Sequence, residues 1–356
     1  MTRRDFDVVV VGGGLAGCAV ARECGLLGLR TLLLERHAIG SAGATRFSGG
    51  IVRVTEEDPL LAGWAAAGAK HWNSWSLSGL SPFHRTGFYY LLDAASEEWA
   101  RNTASRHHCD EYPMRLVSVE DCRRLQPALR FDAGAGSPDA PTAAIFEPNG
   151  GYVDTRLAAR LLAEGARARG AVIWENCPVR AVHPDGDEAV VELAGSAVRA
   201  RAAVIAAGVG SRSLLGDAGI VARSIPLSCF RQSLTNVQVC AFDARTGAYH
   251  RPGAGGLSMI GGGRQVDFDP DGEVPQVSDG IQATHRRAMR TFCGEPGSPV
   301  STLAGYDAYT PDKRPLLGAR SPCVHVATAF SGRGAKYIPI VAREVARGVA
   351  QSIGRA

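Results

Sequence analysis

The stretch Asp7-Val8-Val9-Val10-Val11-Gly12-Gly13-Gly14-Leu15-Ala16-Gly17 decides how this chain folds. Four consecutive valines after an aspartate read as a strand covered on both faces, as a parallel sheet with helices on each side requires. Gly12 to Gly14 make a turn, Leu15 to Gly28 carry a helical apolar pattern, and Arg30-Thr-Leu-Leu-Leu-Glu35 is a second strand. The result is one βαβ unit. In the spacing Gly12-x-Gly14-x-x-Gly17, the first glycine permits the tight turn, the second lets backbone approach a pyrophosphate, and the third lets helix and strand pack closely. The helix N-terminus supplies free N–H groups and partial positive charge for the phosphates. Glu35 lies 23 residues after Gly12, where its carboxylate can accept hydrogen bonds from an adenosine ribose. Leu15, Ala16 and Arg36 join the candidate cofactor-binding set. The stretch specifies a dinucleotide and does not by itself separate NAD from FAD.

Outward from this unit, helix is expected over Pro59–Trp75, strand over Gly87–Leu92, and polar helices over Ser96–His107 and Ser118–Leu125. Phe131–Pro148 is rich in Gly, Ala and Pro and reads as loop with short strands. A helix over Thr155–Arg169 stops at Gly170. A strand follows over Ala171–Trp174. Asp185-Gly186 turns a hairpin between strands near Val179–Val182 and Ala189–Leu193. Val204–Gly208 is a further buried strand, and Ser278–Phe292 a charged helix. The end reads as strand Val324–Ala329, loop Phe330–Gly334 and helix Ala335–Ile353. Alternating α/β material thus falls at the start, middle and end, with mostly β material between. An α/β fold with two discontinuous domains is expected: a Rossmann-like cofactor domain from residues 1–80, 145–220 and 306–356, and a β-rich α+β substrate domain from 81–144 and 221–305.

Composition excludes several classes. The 356 residues are 45% apolar and 21% charged, ordinary for a globular protein and too apolar for disorder. Against 35 acidic residues, 39 basic ones leave +4, too slight and too evenly spread for a nucleic-acid partner. Nine scattered cysteines match neither a metal spacing nor a disulfide framework, so free thiols in a cytoplasmic protein are expected and no metal. His107 and His108 are adjacent on a helix and face apart, a poor metal pair. No run reaches the ~18 apolar residues of a membrane span, and Met1–Asp7 has no secretory core.

The chain resembles the flavoprotein superfamily of D-amino-acid oxidase, glycine oxidase and monomeric sarcosine oxidase. The resemblance rests on Gly40-Ser-Ala-Gly-Ala-Thr-Arg46, Phe47-Ser-Gly-Gly-Ile-Val-Arg53, Gly151-Tyr-Val-Asp-Thr155, Pro178-Val179, Val204-Ile-Ala-Ala-Gly208, Tyr249-His-Arg-Pro252 with the glycines at 255 and 261–263, Tyr309-Thr-Pro-Asp-Lys-Arg-Pro-Leu-Leu-Gly318 and Ala329-Phe-Ser-Gly-Arg-Gly-Ala-Lys336. These occur in the family's order over most of the chain.

The resemblance implies FAD as the cofactor. It places the segment with Ala44, Thr45, Arg46, Ser48 and Gly49 beside the isoalloxazine ring and Val179 by the adenine. It sets Ala207 and Gly208 near the cofactor, and Ser331, Gly332, Arg333 and Gly334 at the flavin pyrimidine edge. The final helix would then aim its N-terminal dipole at the flavin. Lys336 matches a lysine that helps hold the substrate carboxylate, and it is one of three lysines against 36 arginines. Arg46 and Arg53 fall where arginines stand near flavin and substrate. Tyr90, Tyr249 and Arg251 are candidates for the substrate pocket. For Tyr90, Tyr249 and Tyr337, core packing is the competing reading.

Three departures stand out. The position that carries a flavin-linking cysteine in some members is Gly305, so the implied FAD is non-covalent. Two residues on, Asp307 stands where relatives have an arginine or a tyrosine. There it would repel a carboxylate by about 4 kcal/mol at ~4 Å and an effective dielectric constant of ~20. The substrate would then present a cation or hydroxyl at that point, or Asp307 pairs with Arg333 or Arg251. Finally, Ser258 matches a lysine that speeds the reaction with O₂; His250 and Arg251 are the possible substitutes.

The expected reaction is oxidation of a C–N bond of an amine or amino acid to an imine by hydride transfer to flavin N5. O₂ is the expected acceptor, giving H₂O₂. A dehydrogenase of the same fold with another acceptor, and a non-catalytic flavin-binding subunit, are the alternatives. A monomer or small homo-oligomer is expected.

Overall fold

The computed structural model describes residues 6–129, 141–216, 218–231, 237–262, 266–269, 273–294 and 299–355. The valine run forms the strand Phe6–Val11 at the centre of a sheet. It pairs in parallel with Thr31–Leu34 on one side and Ala197–Ile205 on the other, and these continue in parallel to Val172–Trp174 and Val324–Thr328. Val8, Val9 and Val10 are fully buried, as both faces of the sheet are covered. The hairpin Ala181–Asp185 and Glu188–Glu192 and the strand Leu316–Ser321 complete this eight-stranded sheet. On one face the first helix, Leu15–Leu26, packs between the helices Thr155–Arg167 and Gly334–Ser352.

Helix starts follow local chemistry. Asp58 accepts N–H bonds from Leu60 and Leu61, with Pro59 already in the helical φ range at the first position of Pro59–Ser74. Asp154 caps Thr155–Arg167 in the same way, and Ser118 and Ser278 cap the helices Val119–Leu125 and Asp279–Cys293. Thr155–Arg167 ends two residues earlier than its apolar pattern suggests, with the turn completed at Gly170.

The second eight-stranded sheet is antiparallel except where Phe88–Leu92 meets Cys240–Asp243. It contains Ala248–Gly253 and Leu257–Gly261 and carries Asp279–Cys293 on one face. The loop expected over Phe131–Pro148 lies partly outside the described residues. Its remainder holds a real strand, Ala143–Glu147, paired with Phe88–Leu92. The expected boundary between 144 and 145 cuts this strand, which lies in one piece in the second sheet. Two small sheets have three strands each: Asp267–Phe268, Val221–Ser224 and Tyr306–Tyr309, and Ile51–Val52, Gly151–Val153 and Phe83–Arg85. Among the described residues no helix is long and apolar enough to cross a membrane, and no cluster of His, Cys, Asp or Glu could hold a metal.

Candidate active site

A cavity of about 820 Å³ opens at the C-terminal ends of the parallel strands, where such sheets bind ligands. At one end it is walled by Gly12, Gly14, Leu15 and Ala16. The turn there needs glycine: Gly12 has φ +111°, and a Cβ on it would lie 2.5 Å from the carbonyl oxygen of Ala206. Gly17 stays outside the cavity. Its bare Cα faces the carbonyl oxygen of Gly12, where a Cβ would sit 1.8 Å away, which is the close helix–strand packing expected of the third glycine. Gly14, at the start of the first helix, has no side chain to cap it, and Leu15 N donates to Thr45 Oγ1 at 2.9 Å. Glu35 and Arg36 line the same end. Glu35 accepts from Gly13 N at 2.5 Å and His37 N at 2.8 Å, which fixes the carboxylate at the rim.

Further along, the walls are Val179, Ala207 and Gly208 on one side and Ala44, Thr45, Ser48 and Gly49 on the other. Arg46 departs from its expected place. It is exposed, outside the cavity, with its guanidinium 5.4 Å from the Phe47 ring and Nη1 3.4 Å from Ser41 O. On the five-residue helix Gly43–Phe47, Thr45 faces the cavity and its neighbour is turned out to solvent. Arg46→Ala is therefore expected to change stability by less than about 0.5 kcal/mol and to leave the flavin content of the purified protein unchanged.

The far end is built around the last helix. Ser331 to Gly334 and Lys336 all line the cavity. Pro339 lacks an N–H, which leaves Ala335 O without its intrahelical donor; the indole N–H of Trp72 supplies one at 2.8 Å. Gly68, one turn before Trp72, lets the carbonyl of Lys336 come so close that a Cβ would meet it at 1.8 Å. The helix Pro59–Ser74 thereby pins the first turn that carries Lys336.

Lys336 does not stand open to a ligand. Its buried Nζ donates to Glu56 Oε1, and Arg333 Nη1 donates to Glu56 Oε2 at 2.9 Å. Arg53 Nη1 lies 3.7 Å from Glu56 Oε1. These three cations hold the Glu56 carboxyl well below the ordinary carboxylate range despite its burial. Burial, with Arg53 nearby, pushes the Lys336 ammonium down against the pull of Glu56. Sequence reasoning missed Glu56, whose one signal is an acid three residues after Arg53. The segment between them is held by the buried Glu147, which accepts from Val54 N at 2.6 Å and Thr55 N at 3.0 Å.

Arg53, Tyr90 and Tyr249 line the cavity as expected. The Arg53 guanidinium lies 5.1–5.6 Å from the rings of Phe88, Tyr90 and Phe242, and its buried Nη1 has no hydrogen-bond acceptor. Tyr249 is set against Gly49 and Gly261, where a Cβ would strike its ring at 2.6 and 2.1 Å.

Arg251 and Ser258 are not at the cavity. Arg251 packs over Tyr152 at 4.4 Å and donates to Pro252 O at 3.1 Å. Ser258 is opposite Pro252 in the sheet, on the face turned toward Asp279–Cys293. It is fully buried, 2.8 Å from His250 Nε2, while His250 Nδ1–H donates to Val239 O at 3.0 Å. Desolvation pushes His250 down to about 4, so it is neutral. Strand alternation thus turns Ser258, and with it His250, away from the cavity.

Asp307 lines the cavity and is buried. It pairs with neither Arg333, which is engaged by Glu56, nor Arg251. Its Oδ1 accepts from Ala308 N at 2.7 Å and its Oδ2 from Gly332 N at 2.9 Å. Burial raises its pKa to about 6 against these two bonds.

The donor set suits a dinucleotide: a glycine turn whose Gly12 leaves no room for a Cβ, two helix N-termini at the cavity and a rim carboxylate. The comparisons agree. Glycine oxidase of Pseudomonas aeruginosa is 28% identical over 373 residues, covering 92% of this chain and 95% of the relative. That of Geobacillus kaustophilus is 25% identical over 334 residues, covering 89% and 85%. The crystal structure of the latter superposes with a TM-score of 0.81 at 21% identity, over 98% of this chain and 95% of that one. A family model described as FAD dependent oxidoreductase (DAO) matches residues 7–347, and the chain belongs to that FAD-dependent family.

Proposed function

We propose that the protein oxidises a C–N bond of an amine or amino acid. One observation carries this reading: a single cavity joins the dinucleotide cradle at Gly12–Ala16 to the Arg53, Tyr90 and Tyr249 wall, so cofactor and substrate share one chamber. The relatives named glycine oxidase point to the same bond type. Gly12 to Ala16, Glu35 and Ser331 to Gly334 would hold FAD, which would supply the hydride acceptor for the carbon that bears the amine. The chain's own groups bind and orient. The uncapped last helix directs its N-terminal N–H groups into the cavity. The rings of Tyr90 and Tyr249 narrow the far end, and Arg53, with its Nη1 3.7 Å from Glu56 Oε1, sets positive charge at that wall for a polar substrate group. The product imine hydrolyses in water to a carbonyl compound, and O₂ takes the electrons as H₂O₂.

Non-covalent FAD fits Gly305, where even a Cβ would lie 2.6 Å from Phe47 Cβ and 2.7 Å from Ile225 O. The dehydrogenase reading is favoured by one feature: neither Ser258 nor His250 brings positive charge to the cavity. Anaerobic mixing of the yellow protein with a panel of amines and amino acids, followed by air, separates the readings. Bleaching by one compound with recovery and peroxide in air is expected. Bleaching without prompt recovery makes the protein a dehydrogenase. No bleaching by any member would leave a flavin-binding subunit.

A further inference from the structure

Asp307 is a buried carboxylate at the wall of the substrate cavity, and the structure gives it no counter-cation. On its own strand the ionisable neighbours are the phenols Tyr306 and Tyr309. Arg223, its register partner on the adjacent strand, binds Asp267 with Nε 2.6 Å from Oδ1 and lies over the Tyr309 ring at 5.1 Å. Arg333, on the loop before the last helix, is spent on Glu56 and on Lys313 O at 3.0 Å. Arg46, on the short helix that packs against this strand, is turned outward to Ser41 O. Among the described residues, no ion pair to Asp307 forms.

Two backbone donors hold the Asp307 carboxylate in place, one on each oxygen. That fixes its orientation and leaves its charge uncompensated. A carboxylate oxygen can accept more than one hydrogen bond, and an unpaired buried charge is costly unless a partner arrives. The Gly332 N–H anchor also ties Asp307 to the loop that walls the cavity, so the carboxylate is placed by the same residues that shape the chamber.

The cavity is therefore polarised in an unusual sense. The cations Lys336, Arg333 and Arg53 are all drawn to the chain's own Glu56, whereas no chain cation reaches the acid at 307. We propose that Asp307 is a specificity-determining residue that docks a protonated amino group of the substrate other than the amine that is oxidised, so that the ligand presents a cationic nitrogen, and not a carboxylate, at that wall. The proposal rests on the amine-oxidising reading and adds where the charge of the substrate is recognised.

The test uses the FAD-loaded protein and two probes of equal chain length and opposite charge, hexylamine and hexanoate, titrated calorimetrically between pH 5 and 8. Wild type is expected to bind hexylamine, and to bind it more weakly as pH falls through about 6, where Asp307 takes up a proton. The hexylamine cation itself does not titrate in that range. Asp307→Asn is expected to lose at least tenfold in hexylamine affinity at pH 7.5, with hexanoate bound no more weakly and the pH dependence gone. Equal losses for both probes, or unchanged hexylamine binding, would mean that Asp307 only anchors Gly332 and would overturn the proposal. Should the variant lose its flavin, the pH profile of Lys336→Met, which lacks the other cavity group that titrates in this range, still decides: a flat profile, or no hexylamine binding, overturns it. The two readings fail separately. Hexylamine bound at Asp307 with no bleaching by any amine sinks the oxidation reading alone, and bleaching with an unaltered Asp307→Asn sinks this one alone.

Discussion

Gly17→Val is expected to give a protein that purifies colourless and unfolds at much lower urea. The contact at fault is backbone on backbone: a Cβ at 17 lies 1.8 Å from Gly12 O and 3.0 Å from Gly12 C. No rotamer change relieves that. Either the first helix moves off the central strand, or the Gly12 turn, already at φ +111°, must open. Overpacking a rigid site costs typically about 1–3 kcal/mol, and this clash has no soft partner, so the loss belongs at or above the upper end. Gly14→Val is the informative contrast. Its Cβ meets only Thr45 Oγ1, at 3.1 Å, and Gly14 is an uncapped helix start at the cavity wall. That variant is expected to keep its urea midpoint and lose its flavin, because the added side chain fills the space a pyrophosphate needs. The ratio of absorbance at 450 nm to that at 280 nm, read beside urea unfolding, checks both. A yellow Gly17→Val protein of wild-type stability would sink the assignment of Gly17 to helix–strand packing.

The contrast shows which parts of the molecule were legible in the sequence. Gly12, Gly14, Gly17 and Glu35 act through backbone geometry over a few neighbouring residues, and spacing alone conveys that. The parallel sheet was equally open to reading, because Val8–Val11 and Val204–Ile205 are apolar without alternation. What spacing does not convey is where a side chain points once a strand's register is set. Ser258 was assigned from its neighbours in the chain, but pairing with Pro252 puts it on the far face with His250. Arg46 failed for the same reason on one turn of helix, where Thr45 took the inward position. Charge pairing across distant segments was likewise invisible. Glu56 and Lys336 are 280 residues apart, and only the docking of Pro59–Ser74 through Gly68 and Trp72 brings their segments together. Asp307 illustrates the middle case. Its departure from relatives was readable, and its lack of an arginine partner was not.

Glu56→Gln is expected to cost about 3–5 kcal/mol, since removing one member of a buried ion pair leaves its partners charged and uncompensated. Here three cations lose one anion: Lys336, Arg333 and Arg53 all converge on that carboxylate. Lys336 has a way to adjust. Its ammonium is already held below the usual lysine range by burial, and Glu56 is the group that opposes this. Without Glu56 it gives up its proton at still lower pH. A lysine whose folded pKa lies below its unfolded one binds fewer protons when folded across that window, so folding stability rises with pH there. The deficit of Glu56→Gln should therefore be largest near pH 5 and shrink toward pH 8.5, with the part due to Arg333 and Arg53 remaining. Urea unfolding across that range measures it; a deficit below about 1 kcal/mol would show that the cluster contributes little, and a larger one that does not change with pH would show that Lys336 is not the group that adjusts. Lys336→Met alone should cost less than Glu56→Gln, because Glu56 keeps Arg333 and Arg53. Combining the two changes should recover part of the Glu56→Gln loss, and recover most at low pH, where the orphaned ammonium is the dominant cost.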